Sequence, residues 1–240
     1  MRHATSKITK SLTPPIIWNA VRALVWPQGK QYRGDFKTWA EAKALTSGYD
    51  KPLILEKVQN AALKVKRGES AYERDSVNFD KVQYSWPVLA GLLWIASTNQ
   101  NKISVLDFGG SLGSSYYQNR NFLSHLTNLN WCVVEQTHFV EFGKKNLADE
   151  HLKFYDDLAV CNSKESPDVF LLSSVLPYLE KPYEILQLII DLNPKHILLD
   201  RTPFFTKPST LPDRITVQQS SKKIYDASYP AWFLNEKKFL

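Results

Sequence analysis

Short apolar runs recur along the second half of the chain, and segments of helical length separate them. The runs lie at residues 103–106, 131–135, 152–155, 168–172 and 196–199. Continuous apolar runs of this length predict strands buried on both faces, and the segments at 138–147 and 183–192 predict helices between them. This alternation predicts an α/β fold with a doubly wound, mostly parallel sheet.

The first hundred residues predict a helical section instead. Helical patterns occur at 16–26, at 36–45 after Asp35 as an N-cap, between Pro52 and Gly68, and at 85–96. We therefore divide the chain into a helical N-terminal section, residues 1–100, and a sheet domain, residues 101–240.

A glycine-rich turn follows the first predicted strand. Asp107 ends the strand, Gly109, Gly110 and Gly113 follow it, and a segment of helical length begins at Ser114. A turn of this kind presents free backbone N–H groups, and it needs small residues because a Cβ atom would keep a ligand away from the backbone.

Two known ligand-binding sequence patterns could describe this turn. The dinucleotide pattern G-x-G-x-x-G is half met, because Phe108 occupies the first glycine position. The pattern D-x-G-x-G-x-G fits better, with Ser111 in place of the middle glycine. It resembles motif I of the class I S-adenosylmethionine-dependent methyltransferases. The resemblance implies a Rossmann-like fold and S-adenosylmethionine as cofactor, held in residues 101–240. The residues it implies on the turn are Asp107, Gly109, Gly110, Ser111 and Gly113.

Further cofactor-binding candidates lie at the ends of the next two strands. Glu135 follows the second strand, where a carboxylate can accept both ribose hydroxyls of an adenosine, and Gln136 is adjacent to it. Asp156, or equally Asp157, follows the third strand, where this fold places a partner for the adenine amino group. His138 is expected to flank the adenine.

The ends of the fourth and fifth strands predict an acceptor side. Ser173, Ser174 and Tyr178 resemble the methyltransferase segment that faces the transferred methyl group, although turn serines and a packing tyrosine would look the same. Arg201 suits an anionic acceptor, and its alternative is an internal salt bridge with Asp200 or Glu73.

Four segments, 71–80, 106–117, 199–204 and 225–237, resemble a narrower family of bacterial methyltransferases associated with surface-polysaccharide synthesis. This resemblance implies O-methylation of a glycan or a lipid-linked sugar. It also implies that Tyr72, Glu73 and Arg74 fold over the cofactor. We assign catalysis to Glu73, Arg201 and Tyr178, with Glu73 or Asp200 as the base.

Charge and cysteine content bear on the binding partners and the cellular location of the protein. The 240 residues carry a net charge of +6. The surplus is basic at residues 1–50, with eight Lys/Arg against three Asp/Glu, and acidic at 101–200, with eight against thirteen. This distribution argues against nucleic acid at the site and allows the basic N-terminus to contact an anionic membrane. Two cysteines and no zinc spacing predict a cytoplasmic protein without a metal site, and no run is long enough to span a membrane.

Two other functions remain open. A nicotinamide-dependent oxidoreductase or epimerase of nucleotide sugars would use a similar turn, but the chain lacks a Tyr-x-x-x-Lys pair after the fourth strand. A non-catalytic nucleotide-binding module is the other alternative, because Ser111 departs from the glycine pattern.

The end of the chain raises a question about the sheet. A complete class I methyltransferase sheet has seven strands. The 41 residues after Leu199 contain only two extended runs, at 214–218 and 229–234, and Asn235 as the N-cap of a one-turn helix. A helix that short is unstable alone, and a fifth strand with an unpaired edge can pair with strands of other chains. We therefore expect the sequence to be a C-terminally shortened form whose last helix and closing hairpin are missing.

Overall fold

The computed structural model describes residues 32–47, 52–205, 211–220 and 227–240. The helix predicted at 16–26 lies outside these ranges. The N-terminal elements are β1 (Tyr32–Phe36), α1 (Trp39–Ala44), α2 (Pro52–Lys66), β2 (Tyr72–Arg74), β3 (Val77–Phe79) and α3 (Trp86–Thr98).

The central elements alternate between strand and helix, as predicted. They are β4 (Lys102–Phe108), α4 (Ser114–Leu123), β5 (Asn128–Val134), α5 (Thr137–Asn146), β6 (Leu152–Tyr155), α6 (Leu158–Glu165), β7 (Val169–Ser173), a 3₁₀ turn (Leu176–Tyr178), α7 (Pro182–Asp191) and β8 (His196–Asp200). The C-terminal elements are β9 (Phe204–Phe205), β10 (Arg214–Gln219), β11 (Ser228–Asn235) and α8 (Glu236–Phe239). The sequence pattern did not predict α6.

Five parallel strands form the central sheet, in the order β6-β5-β4-β7-β8. The predicted doubly wound α/β fold is confirmed by this topology. The chain runs outward from β4 in one direction and then returns to its other side at β7. The carboxyl ends of β4 and β7 therefore border the crevice where an open sheet of this kind binds ligands.

Alternate side chains of the central strands build a core on each face of the sheet. Val105, Trp131 and Leu171 are fully buried with the residues of α3, α4 and α5. Leu106 and Phe170, their neighbours along the strands, face the other core, which also holds the buried free cysteines. Because both faces are covered, the strands read as continuous apolar runs in the sequence.

The N-terminal section is less helical than predicted. Asp35 lies in β1, so its assignment as a helix N-cap was wrong; Thr38 caps α1 instead, and its hydroxyl accepts from the Glu41 N–H at 3.2 Å. The polar segment 71–80 forms the antiparallel β2–β3 hairpin. The helices predicted after Pro52 and at 85–96 are present as α2 and α3.

A second sheet joins the two ends of the described chain, in the order β1-β10-β11-β9. The extended runs predicted at 214–218 and 229–234 are strands β10 and β11, which form an antiparallel hairpin. The hairpin pairs with β1 and β9, and no described strand pairs with the outer edge of β8. This sheet therefore uses strands from both sides of the predicted division at residue 100. Asn235 caps α8 as predicted, by accepting from the Lys238 N–H at 2.9 Å.

Within the described ranges, no helix combines the length and the apolar character that crossing a bilayer requires.

We predict that Gly143→Ala destabilises the protein although alanine favours a helix. A Cβ atom at Gly143 would lie 2.6 Å from the buried Phe154 ring. Overpacking typically costs about 1–3 kcal/mol, which exceeds the roughly 1 kcal/mol gained from helix propensity. Urea unfolding should show a lower free energy of unfolding for Gly143→Ala. The exposed neighbour variant Lys144→Ala should change it by less than about 0.5 kcal/mol, and an equal effect of both variants would contradict the packing argument.

Candidate active site

Three alternate residues of the turn after β4 adopt left-handed backbone conformations. Gly109, Ser111 and Gly113 have φ values of 70°, 54° and 88°. These are the three glycine positions of the D-x-G-x-G-x-G pattern. Ser111 therefore departs from the pattern in residue type but keeps the backbone conformation that glycine favours. The Gly109 N–H donates to the carbonyl of Val134 at 2.9 Å, which ties the turn to the adjacent strand β5.

The Asp107 carboxyl group lies buried beneath this turn. Its Oδ2 accepts from the Trp131 indole N–H at 3.2 Å, and a Cβ atom on Gly110 would lie 2.5 Å from the carboxyl carbon. Within the part of the chain that the structure describes, Oδ1 has no hydrogen-bond partner. Burial raises the pKa of Asp107 to about 7, although the Trp131 indole, Arg201 and the nearby Ser115 hydroxyl favour its ionised form. Buried polar atoms are nearly always hydrogen-bonded, so an unpartnered oxygen directly beneath the turn is unusual.

A second buried carboxyl group reaches the turn from the N-terminal section. Glu73 on β2 is 2% exposed, and its Oε1 accepts from the hydroxyl of Ser114, the first residue of α4. Burial raises the pKa of Glu73 to about 7, against the lowering effects of its bonds to Ser114 and the Ser76 backbone. The hairpin thus places a carboxyl group at the positive end of α4, where the helix dipole favours negative charge.

The predicted adenosine residues lie at the same edge of the sheet. Glu135 follows β5 and is half-buried; its Oε2 accepts from the Gln136 N–H at 2.7 Å, and burial raises its pKa. Asp156 follows β6 and is exposed. Asp157 caps α6 by accepting from the Val160 N–H at 2.7 Å, so Asp156 is the less constrained of the two candidates. His138 is exposed beside Phe139.

On the other side of the crevice, the Asp200 carboxylate contacts three polar side chains. Its Oδ2 accepts from Ser173 at 2.7 Å and lies 3.3 Å from Arg201 Nε, and its Oδ1 accepts from Ser85 at 3.2 Å. Arg201 also donates to Ser173 at 2.9 Å and is 41% exposed. The internal ion pair that was the alternative for Arg201 is present, and the guanidinium also remains partly open to solvent.

Tyr178 lies between the two sheets. Its hydroxyl donates to Gln218 Oε1 at 2.9 Å, and its ring contacts Tyr229 edge-on at 5.2 Å. Burial raises the pKa of Tyr178 to about 12, so the phenol stays protonated near neutral pH. Its hydrogen bond to β10 fixes the ring, which is consistent with packing as well as with a role at the site.

Three residues with side chains adopt left-handed backbone conformations at this edge of the sheet. Ser111, Ser174 and Arg201 have φ values of 54°, 60° and 52°, and each follows a different strand, β4, β7 and β8. A left-handed conformation costs a residue with a side chain roughly 1 kcal/mol or more, and such residues cluster at functional sites. The three strained residues mark the carboxyl ends of three neighbouring strands.

Three hydrogen bonds at this site involve residues that the sequence patterns did not single out. Trp131 donates to Asp107, Gln218 accepts from Tyr178, and Ser85 donates to Asp200. Trp131 could have been found, because strand alternation puts it on the same face as Val133, which is paired with Asp107. The other two contacts join residues 40 and 115 positions apart, and no sequence pattern relates them.

Comparison with known proteins leaves the family open. No protein-family model and no curated protein gives a match. Among solved structures, the chain is similar to the N-terminal domain of EvdMO1 in the presence of SAH and D-fucose, at 13% identity over 77% of this chain and 82% of that one, with a TM-score of 0.39. It is also similar to LepI in complex with SAM, at 12% identity, 75% and 64% coverage and a TM-score of 0.38. A mutant of MtNAS in complex with S-adenosylmethionine gives 16% identity, 82% and 84% coverage and a TM-score of 0.36.

Similarities as low as these show neither a shared family nor a shared function. The topology of the chain itself defines an α/β protein with a doubly wound parallel sheet and a polar crevice at the carboxyl ends of β4, β5, β7 and β8.

We predict that the ligand-free protein loses stability as pH rises from 5 to 7.5. The folded-state pKa of Asp107 and of Glu73 is about 7, above the ordinary values of 3.8 and 4.5. The folded state therefore binds more protons than the unfolded state in this range. The free energy of unfolding therefore falls as pH rises. Each group contributes at most about 1.4 kcal/mol per pH unit to this decrease. Urea titrations at several pH values measure the slope. The double variant Asp107→Asn, Glu73→Gln should flatten it, and an unchanged slope would assign it to other groups.

Proposed function

We propose that the protein is an S-adenosylmethionine-dependent methyltransferase that O-methylates a glycan or a lipid-linked sugar precursor. One observation carries the proposal. The left-handed residues 109, 111 and 113 curve over the unpartnered oxygen of Asp107, and Glu135 lies at the end of the adjacent strand. This arrangement combines a left-handed, glycine-rich turn, a buried acceptor and a carboxylate at the end of the adjacent strand.

The chemistry of the donor set fits this cofactor. In the proposal, Asp107 Oδ1 accepts from the cofactor's amino group, Glu135 accepts from the ribose hydroxyls, and Asp156 with Gln136 lies beside the adenine. When bound, the cofactor supplies an electrophilic methyl group on a sulfonium. Carboxyl groups around the turn favour a ligand with an ammonium and a sulfonium cation.

The same charges weigh against the nicotinamide alternative. A dinucleotide places its pyrophosphate at the start of the helix after the first strand. In this chain, Glu73 already occupies that position against Ser114, and Asp107 is buried beside it. Two carboxyl groups would repel a pyrophosphate, and Arg201 is already paired with Asp200.

The acceptor side is assigned to residues on β2, β8 and the 3₁₀ turn. Glu73 takes the proton of the acceptor hydroxyl, since a pKa of about 7 suits a base at neutral pH. Arg201 orients an anionic group of the acceptor, and Tyr178 donates a hydrogen bond from its protonated phenol. Asp200 is the alternative base. Orientation of the reactants alone can supply up to roughly 7–11 kcal/mol of the barrier reduction.

The cellular setting is part of the proposal. Two cysteines, both free and buried, suit a reducing cytoplasm. The basic N-terminus, with eight Lys/Arg against three Asp/Glu in residues 1–50, would contact the anionic inner membrane, where lipid-linked sugars are held. Residues 1–31 lie outside the described ranges.

Titration calorimetry of the full chain with S-adenosylmethionine, S-adenosylhomocysteine and NAD tests the proposal. We expect binding of both adenosyl ligands and none of NAD. Binding of NAD alone would replace the proposal with the oxidoreductase alternative, and no binding of any of the three would leave no cofactor-dependent function.

We predict that Glu135→Ala weakens S-adenosylmethionine binding by about 1.5–3 kcal/mol, because hydrogen bonds to a charged carboxylate are lost. Calorimetry measures the change. Glu141→Ala, an exposed acid on the following helix, is the control and should bind normally. Equal affinities of the two variants, with intact circular dichroism, would remove Glu135 from the site.

We predict that Arg201→Ala lowers methyl transfer more than cofactor affinity, because Arg201 lies at β8, on the far side of β7 from the turn. Incorporation of label from methyl-tritiated S-adenosylmethionine into a bacterial envelope glycolipid extract measures turnover. Arg214→Ala removes an arginine that pairs with Asp35 in the second sheet and should leave turnover unchanged. Loss of cofactor binding with normal turnover at saturation would contradict the assignment of Arg201.

A further inference from the structure

Three aromatic rings, two of them exposed, form a cluster beside the acceptor side of the site. Tyr84, Trp86 and Phe122 have ring centroids 5.0, 5.1 and 6.0 Å apart. Trp86 is 60% exposed and Phe122 is 41% exposed. Phe122 stands nearly perpendicular to the other two rings, at 82° and 75°, so the cluster has a floor and a wall. None of the three residues belongs to the cofactor or catalytic set above.

Hydrogen bonds tie the cluster to the site on both sides. Ser85, between Tyr84 and Trp86, donates to Asp200 at 3.2 Å. Gln83, the residue before Tyr84, accepts from Arg74 on the β2–β3 hairpin at 3.1 Å and from Gln118 of α4 through its carbonyl. Trp86 is therefore the next residue in the chain after the one that donates to Asp200.

We propose that this cluster, Tyr84, Trp86 and Phe122, is an acceptor subsite that binds a sugar ring next to the ring being methylated. The inference rests on the proposed function and names the part of the acceptor that is held away from the reaction. A pyranose has an apolar face of C–H groups and a polar edge of hydroxyls. The C–H face is attracted to the negative face of an aromatic ring, and the polar edge needs hydrogen-bonding groups nearby.

The cluster offers both parts of that chemistry. The exposed rings supply the apolar floor, and the exposed amide of Gln83 with the guanidinium of Arg74 supplies polar groups at its border. An acyl chain would pack on the rings but would make no hydrogen bond to this amide or guanidinium. A sugar ring satisfies both, and its neighbour along the glycan would then lie over Asp200 and Arg201.

A second tryptophan on the same helix provides a matched control. Trp94 is also 60% exposed, but it lies two turns further along α3, against His196 at the opposite end of β8. A sugar subsite at the crevice involves Trp86 and excludes Trp94. A membrane-binding or self-associating face of α3 would involve both residues equally.

The test uses the full chain labelled with 5-fluorotryptophan and fluorine NMR, which reports each of the seven tryptophans separately. Fluorescently labelled protein is first screened on a printed array of bacterial surface-glycan fragments, and the best-binding fragment is titrated without cofactor. We expect a shift of the Trp86 resonance and none of the Trp94 resonance. Trp86→Ala and Phe122→Ala should weaken binding at least tenfold, Trp86→Phe less, and Trp94→Ala less than twofold.

Three results would overturn the subsite: no binding to any fragment on the array, equal shifts of both resonances, or equal losses in the Trp86 and Trp94 variants. If the protein bound phosphatidylglycerol vesicles, and Trp86→Ala and Trp94→Ala each abolished that binding, this face of α3 would be a membrane-binding surface instead. Calorimetry with S-adenosylmethionine is independent of these measurements. Retained cofactor binding without glycan binding removes the subsite alone, whereas glycan binding without cofactor binding removes the methyltransferase proposal alone.

Discussion

Burial of the Asp107 carboxyl group imposes the constraint around which the rest of the site is arranged. The residue lies on the central strand of the sheet, and one of its oxygens is held by the Trp131 indole. Burying a carboxyl group with an unpartnered oxygen costs free energy, which appears in the pKa of about 7. The turn can close over it only because position 110 has no side chain. A ligand with a cationic donor would recover this cost.

The N-terminal section contacts the carboxyl edge of the central sheet through side chains from two of its elements. The β2–β3 hairpin brings Glu73 to the first residue of α4, and Ser85 ties the start of α3 to Asp200. Strand β1 pairs with β10, about 180 residues later in the chain. The second sheet in turn holds Tyr178 through Gln218. The polar groups at this edge of the sheet therefore come from segments on both sides of residue 100.

Polar side chains on the two sides of the crevice differ in how tightly they are held. On the turn side, Asp107 is almost fully covered, and its pKa is raised. On the other side, the Arg201 side chain is partly exposed, and the exposed Trp86 follows Ser85, which donates to Asp200. A fixed, buried side suits one constant ligand, and an open side suits an acceptor that extends away from the protein. This asymmetry is the physical basis for assigning cofactor and acceptor to opposite sides.

The sequence alone determined the central sheet and the turn. The apolar runs are buried on both faces, so their pattern is nearly independent of distant contacts, and the D-x-G-x-G-x-G spacing located the left-handed residues even where serine replaces glycine. Tertiary structure decided the rest. Asp35 lies in a strand because β10 supplies its partner, and 71–80 forms a hairpin because it packs on α4. Local propensity cannot anticipate such pairings, since their free energy comes from residues far away in the chain.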